Sequence, residues 1–224
     1  MVVIERINVR GNPNIGIYMF ANDRIAIVSP YVEEKTLEIV RSVLGVEIVT
    51  TTIGGMNIVG VLIAGNNKGV LLPYMVRDHE YDAIKKCFEG NVAIVKSRYT
   101  ALGNICLAND RAALIHPEAY AEIKDIVKDT LEVEVVEKGT IAGIPTVGAA
   151  AYITNRGGLV HPDASEAELQ WLSTLFGVKC DVGTVNFGIG FIRSGLVANS
   201  RGILVGDRTT GPEIMRISQV LGGE

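Results

Sequence analysis

The chain contains one short sequence unit repeated five times, and this repetition constrains its fold more than any other feature of the sequence. A turn-like cue rich in Asn is followed each time by a basic residue, and these basic residues stand 43 to 45 positions apart. The basic residues are Arg24, Lys68, Arg111, Arg156 and Arg201. A fixed period of this length indicates a repeat array or a propeller.

Each unit predicts a β-hairpin, then a helix, then a third strand. Apolar runs flank the cue, as at residues 103–108 and 112–115, and Asn, Asp and Gly tolerate the backbone of tight turns. Prolines that suit a first helical turn follow in four units: Pro30, Pro73, Pro117 and Pro162. Four glycines are predicted to end helices in the left-handed conformation: Gly45, Gly90, Gly177 and Gly222.

The fifth unit lacks a third strand after its helix, and the strand-like residues 2–9 can supply it. We therefore predict a single α/β domain, residues 1–224, whose five ββαβ units form a closed ring. The predicted units are about 10–54, 55–97, 98–141, 142–186 and 187–224, closed by residues 2–9. Closure would remove exposed strand edges, whereas the alternative is an ordinary open sheet.

Composition limits the classes of function. With 48% hydrophobic residues the chain can bury a core, and it has neither a membrane-length apolar run nor a signal peptide, so we expect a cytoplasmic monomer. The net charge is −4 and no Lys/Arg run occurs. A general RNA-binding surface is therefore disfavoured, whereas a basic protein partner is compatible with this charge.

Four segments carry a family resemblance: ALGN at 101–104, ALIHP at 113–117, NRGGLVHP at 155–162 and GTVN at 183–186. With the order of all five units, they resemble the translation initiation factor six family of archaea and eukaryotes, over nearly the whole chain. The resemblance implies the pentein fold, a closed pseudo-fivefold β/α propeller.

The resemblance also implies a function without a cofactor. Members of this family bind the joining face of the large ribosomal subunit and sterically block the small subunit. The implied main contact is the fourteenth ribosomal protein of the large subunit, near the sarcin-ricin loop. Release is linked to an elongation-factor-like GTPase and the Shwachman-Bodian-Diamond protein.

Repeat positions give the candidate contact residues. Glycine stands eight residues before the basic residue in four units, at Gly16, Gly60, Gly103 and Gly148, and Arg193 stands there in the fifth. These glycines allow close approach either between units or by a partner. Asn104 is polar where the other units place Ile17, Val61, Ala149 and Ser194. It is therefore a candidate contact, and Asn186 is a weaker one. The five basic residues are either a basic ring of hairpin tips or merely solvated turn residues.

The competing class is a guanidino-modifying pentein enzyme with a Cys–His site. Such chemistry needs a thiolate and a neighbouring base. The chain has Cys87, Cys106 and Cys180, but His116 and His161 occupy one repeat position before the proline. They are therefore interpreted as echoes of the repeat, and neither catalysis nor a metal site is expected.

Overall fold

The computed structural model describes residues 2–222, which contain five three-stranded sheets. The strands of the first four sheets are as follows. The first sheet has β2 (Met19–Ala21), β3 (Ile25–Val28) and β4 (Glu47–Thr50). The second has β5 (Ala64–Gly65), β6 (Gly69–Pro73) and β7 (Asn91–Val95). The third has β8 (Cys106–Ala108), β9 (Ala112–Ile115) and β10 (Val135–Lys138). The fourth has β11 (Ala151–Ile153), β12 (Gly158–Val160) and β13 (Cys180–Val182).

The fifth sheet joins the two ends of the chain. It contains β14 (Leu196–Ala198), β15 (Gly202–Gly206) and the N-terminal strand β1 (Val3–Ile7). β1 pairs in parallel with β15, with Val3 opposite Gly202 and Ile7 opposite Gly206. In every sheet the first two strands form an antiparallel hairpin and the remaining strand lies parallel to the second. The predicted α/β fold of five repeated sheet units is thus confirmed.

One long helix follows each hairpin. These helices are α1 (Glu34–Leu44), α3 (Asp78–Cys87), α5 (Tyr120–Leu131), α7 (Glu166–Phe176) and α8 (Gly211–Leu221). Their apolar faces fill five buried clusters, and each cluster combines residues of two consecutive units. One cluster places Leu204 of the fifth unit with Val28 and Val40 of the first. Apolar burial therefore links every unit to the next and the last unit to the first.

The first apolar run of each unit is not one strand, which corrects the prediction. Its first half forms a short helical segment, and only its last two or three residues pair in the sheet. These segments are α2 (Val59–Leu62), α4 (Leu102–Ile105) and α6 (Val147–Ala150), with 3-10 turns at Ile15–Ile17 and Ile192–Gly195. A short buried apolar run suits helix and strand equally, so periodicity alone did not separate them.

The helix termini agree only partly with the prediction. Gly45 and Gly177 cap α1 and α7 in the left-handed conformation, as predicted. Gly222 follows α8 in the right-handed conformation, and α3 ends at Cys87, before the predicted Gly90. The left-handed cap of α5 is Glu132, with φ 47°. The predicted helix-start residues Pro30, Pro73, Pro117 and Pro162 lie several residues before the helices, and Pro73 lies in β6. Within residues 2–222 no helix is long and apolar enough to cross a membrane.

Candidate functional site

The short helical segments meet around a surface recess of about 220 Å³, which we call the glycine end. Its lining includes the five positions that the repeat aligns: Ile17, Val61, Asn104, Ala149 and Ser194. Gly16, Gly60, Phe191 and Arg193 complete it. The repeat therefore brings its equivalent residues together in space, as expected of a ring-like array. We call the line around which these equivalent residues are arranged the axis.

The glycines at this end pack unit against unit. A Cβ built on Gly60 would fall well inside van der Waals contact with the carbonyl oxygen of Gly16, and Gly103 stands in the same relation to Gly60. Gly148 repeats the contact with Gly103, and Gly16 repeats it with the carbonyl of Arg193. All four glycines are buried. Of the two predicted roles, the structure therefore supports close approach between units, and the glycines offer a partner no side chain.

Arg193 fills the axis where the other units have glycine. Its Nε donates to the carbonyl oxygen of Gly60 and an Nη to that of Ile63, both at 3.3 Å. Its guanidinium carbon lies 5.8 Å from the ring centre of Tyr152. Burial lowers the pKa of Arg193, because desolvation penalises its charge, and no carboxylate of the described chain counters that effect.

Asn104 and Asn186 differ sharply in their surroundings. Asn104 is half-buried, lines the recess and makes no side-chain hydrogen bond within residues 2–222. Asn186 is 7% exposed; its Nδ2 donates to the Pro13 carbonyl at 3.0 Å, and its Oδ1 accepts from the Thr209 hydroxyl at 3.3 Å. The Asn186 side chain is thus hydrogen-bonded inside the fold, and its role as a contact residue stays a prediction.

The hairpin turns meet at the other end of the axis, the asparagine end, defined by Asn22, Asn66, Asn109, Thr154 and Asn199 with the residues that follow them. Each Asn side chain donates to a backbone carbonyl of the next unit: Asn22 to Asn66 at 2.7 Å, Asn66 to Asn109 at 3.0 Å and Asn109 to Thr154 at 3.4 Å. Asn199 returns to Asn22 at 3.1 Å. Thr154 has no amide, and the Tyr152 hydroxyl bridges to Ala198 in its place.

A second layer of polar side chains covers this end. Asn67 donates to the carboxylates of Asp23 and Asp110, each at 2.8 Å, and Asn155 also donates to Asp110. Ser200 donates to Asp23 through its backbone N–H and its hydroxyl. The cavity beneath them is only about 40 Å³. The polar groups here bond to one another, so the asparagine end is an internal joint and offers few free groups.

The basic residues after the turns serve neighbouring helices. Three of them donate to carbonyl oxygens at helix C-terminal ends in the following unit. The acceptors are Glu132 for Lys68, Gly222 for Arg156 and Gly45 for Arg201. Cations are stabilised there by the helix dipole. The Arg111 side chain also lies against the Gly177 cap of α7. Four of the five basic residues thus have an intramolecular role. Arg24 is exposed, and its place in a basic ring of hairpin tips stays a prediction.

Glutamates hold four of the loops that precede the short helical segments and the 3-10 turns. Glu80 accepts from the backbone N–H groups of Gly54 at 2.6 Å and Gly55 at 2.8 Å, and Glu213 accepts from Gly188 at 2.9 Å. Glu33 and Glu168 accept from Arg10 and Ala142 in the same way. Burial alone would raise the pKa of Glu80, but bonds from Thr52 and backbone N–H groups lower it. The left-handed residues of these loops are therefore held by hydrogen bonds to glutamate carboxylates.

The histidines behave as repeat residues. Nδ1 of His116 accepts the Glu118 N–H at 3.1 Å, and Nδ1 of His161 accepts the Asp163 N–H at 3.2 Å. The Ser29 hydroxyl, at the same repeat position, accepts the N–H of Tyr31. These side chains close the turn after the hairpin, so the structure gives them a local structural task.

The cysteines lack the features of nucleophiles. Burial raises the pKa of Cys106 to about 12 and that of Cys180 to about 11, and it also raises the pKa of Cys87. A thiol so shifted is protonated near neutral pH and unreactive. Within residues 2–222 no group of three metal-binding side chains is close enough to hold an ion. The geometry thus does not favour the guanidino-modifying alternative.

These observations describe a five-unit α/β repeat protein with a surface recess where its equivalent residues meet. The model of the eIF-6 family matches residues 4–220. The chain belongs to this family. It is 45% identical over 220 residues to translation initiation factor 6 of Saccharolobus islandicus, covering 98% of this chain and 99% of that one. It is 47% identical over 220 residues to that of Sulfolobus acidocaldarius, covering 97% and 98%, and 42% identical over 224 residues to that of Pyrococcus abyssi, covering 98% of each chain.

The chain also has a distant structural similarity to a solved protein. That protein is DDAH from Pseudomonas aeruginosa, determined as a mutant complexed with citrulline. The likeness has a TM-score of 0.46 at 11% identity and covers 75% of this chain and 68% of that one.

The sequence patterns alone do not reveal the roles of two groups of residues, Arg193 and the glutamates that hold the loops. Arg193 is an exception among the glycines of its repeat position, and a single charged residue at such a position is itself a signal of function or strain. Glu80, Glu168 and Glu213 stand in the first turns of their helices, where an acidic residue by itself indicates only a helix start. Their loop contacts join residues 25 to 26 positions apart, beyond the reach of local patterns.

Proposed function

We propose that this protein binds the large ribosomal subunit on its joining face and sterically prevents association with the small subunit. The observation that carries the proposal is the match of residues 4–220 to the eIF-6 family, with curated relatives named translation initiation factor 6 aligned over nearly their full length. A role in translation initiation follows from the family. Subunit binding and anti-association are the finer proposal.

The physical basis of the mechanism is occupation of space. Interlocked clusters link all five units, and glycine contacts and Asn bonds hold the two ends of the axis. Such a body resists deformation, because packed interiors transmit strain and do not yield smoothly. Blocking then needs only a residence time longer than the subunit encounter, and no bond is made or broken.

The docking surface that we propose is the glycine end. Asn104 lies there, its side chain makes no hydrogen bond to the described residues 2–222, and Phe191 beside it is 48% exposed. Phe187, in the loop that leads to Phe191, is 80% exposed. Exposed aromatic residues next to unpaired polar groups are typical of binding surfaces.

We further propose the fourteenth ribosomal protein of the large subunit as the main contact, near the sarcin-ricin loop. The net charge of −4 favours a basic protein over bare RNA. Release by an elongation-factor-like GTPase and the Shwachman-Bodian-Diamond protein completes the proposal, with the factor acting as a cytoplasmic monomer.

Sucrose-gradient sedimentation with purified subunits tests the function. We expect the protein to migrate with large subunits, to be absent from small subunits, and to reduce the joined population with no nucleotide present. Migration with small subunits, or with neither subunit, would contradict the proposal. A full yield of joined ribosomes despite bound protein would contradict steric blocking alone.

Asn104→Glu tests the docking surface. A larger charged side chain in the recess should weaken large-subunit binding about tenfold or more, the effect of ~1.4 kcal/mol, and leave the melting temperature unchanged. Gln170→Glu is the matched control, since it adds the same charge on the exposed face of α7. Equal binding by both variants would place the docking surface elsewhere on the molecule.

A further inference from the structure

Arg193 carries a charge that the described protein does not neutralise. Its side chain donates hydrogen bonds to the carbonyl oxygens of Gly60 and Ile63. The ionisable groups that interact electrostatically with it are Tyr152 and Cys106, neither of which is a carboxylate. A guanidinium has five N–H donors, and these two bonds leave donors to spare. A mostly buried cation without a counter-ion is costly unless a ligand compensates for the lost solvation.

The recess supplies room for such a ligand. Arg193 lines both the recess of about 220 Å³ and a smaller cavity of about 30 Å³, so its side chain borders the two spaces. A few atoms of a partner side chain fit the larger space. The smaller one has room for water-sized occupants only. The bond from Arg193 to Gly60 spans 133 positions of sequence, which fixes the side chain across the axis.

The rest of the lining favours a carboxylate on an aliphatic stem. Ile17, Val61 and Ala149 give apolar walls, and the amide of Asn104 can donate a second hydrogen bond. Phosphates of RNA are usually bound by clusters of cations, whereas Arg193 is the one Lys or Arg among the residues that line this recess. Arg paired with a carboxylate forms one of the strongest hydrogen-bonded contacts in proteins.

We propose that the glycine-end recess is a carboxylate-binding site that receives an Asp or Glu side chain of a protein partner. Arg193 supplies the charge and Asn104 the second donor. The exposed apolar residues Phe187, Ile189 and Phe191 contact the segment that carries the acidic residue. The partner's identity rests on the proposed function, and the chemistry of the recess does not.

The first test reads the recess without ribosomes. Acetate and inorganic phosphate are titrated into the ¹⁵N-labelled full-length protein while the Arg193 Nε–H and Asn104 amide signals are recorded. Acetate should shift both signals saturably, and Arg193→Gln should abolish the shift at Asn104. Absence of a saturable shift, or an equal Asn104 shift in Arg193→Gln, overturns the site. Binding of phosphate in preference to acetate reassigns the recess to a phosphate group and overturns the carboxylate proposal.

The second test connects the recess to docking. Large-subunit binding is compared for wild type, Arg193→Gln, Arg193→Lys and the control Arg41→Gln, which removes an exposed charge from α1. Arg193→Gln should weaken binding about tenfold or more, Arg193→Lys should retain part of it, and the control should match wild type. Wild-type binding by a folded Arg193→Gln variant overturns the docking role.

The two tests separate the proposals. If wild type does not sediment with large subunits but acetate still binds, the ribosomal function fails and the carboxylate site stands. Circular dichroism and melting curves identify an Arg193→Gln variant that fails to fold, and in that case the acetate titration of wild type alone decides the proposal.

Discussion

The two ends of the axis use the same repeat in opposite ways. At the asparagine end, four Asn side chains donate hydrogen bonds to backbone carbonyls of the adjoining units, and a second polar layer covers them. They are Asn22, Asn66, Asn109 and Asn199. At the glycine end the units touch through bare backbone, and Arg193 and Asn104 keep unused donors. The asparagine end therefore stabilises the assembly, whereas the glycine end leaves groups free for recognition.

This difference shows where a repeat protein can place a function. A residue that must bond to its neighbours in each unit can vary little, because a buried polar group without a partner is costly. Positions 17, 61, 104, 149 and 194 face the recess and carry no such duty, so each unit can place a different side chain there. One unit contributes Asn104 at these positions, the fifth unit contributes Arg193 at the neighbouring glycine position, and the fivefold pattern becomes an asymmetric surface.

Gly103→Ala should have the largest effect on stability. Its Cβ would meet the carbonyl oxygens of Gly60 and Ile63, which are backbone atoms and cannot rotate away. We expect a loss of about 3 kcal/mol or more in the free energy of unfolding, measured by urea denaturation. Gly211→Ala is the control, because a Cβ there meets nothing within 4 Å. Equal stability of the two variants would show that the units are not in tight contact at the glycine end.

Asn66→Ala should weaken the asparagine end by about 2–4 kcal/mol, because buried partners lose their bonds. Its Nδ2 donates to Asn109 and Leu131, and its Oδ1 accepts from Lys68 and Gly69. Asn66→Thr should cost less, since Thr154 fills the equivalent position and its hydroxyl accepts from two backbone N–H groups. Thermal unfolding that ranks Thr below Ala would refute this account of the joint.

Glu80→Gln tests the loops beside the recess through pH. Burial raises the pKa of Glu80 and hydrogen bonds lower it, and the net effect is a pKa below its ordinary value of 4.5. Its contribution is therefore complete above that pH and is lost as the pH falls through the folded pKa. We expect Glu80→Gln to lose about 1–3 kcal/mol at neutral pH and to show a flatter decline in acid.

Urea unfolding at a series of pH values from neutral to acid measures this effect, with the exposed Glu89→Gln as control. An acid decline in Glu80→Gln as steep as in wild type would remove Glu80 from the explanation.

Arg201→Gln should have the smallest effect, about 0.3–1 kcal/mol, because the exposed guanidinium interacts with the C-terminal end of α1. Added salt should shrink the difference from wild type, since exposed charges are screened. Arg24→Gln is the matched control, because Arg24 occupies the same repeat position and its side chain has no such bond in the described residues. A larger loss in Arg24→Gln would contradict the helix-cap role of Arg201.

Much of the fold could be predicted because its causes are local. Asn66 marks a turn since its side chain accepts the N–H groups two and three residues ahead. Ser165 and Glu168 form the capping box that the sequence of α7 predicts. Local chemistry failed where two structures suit one pattern: residues 58–64 are apolar throughout, and the chain forms a helical turn at Val59–Leu62 before β5.

The sequence by itself determined the period and the hairpin turns, because turn chemistry and apolar periodicity act over a few residues, and its resemblance to known sequences indicated the family. The tertiary structure alone decided that Asn22 bonds to Asn66, that Glu80 holds Gly54, and that Arg193 crosses the axis to Gly60. Such contacts depend on how the units are placed around one another. That placement is set by the burial of apolar surface between consecutive units, which no single unit contains.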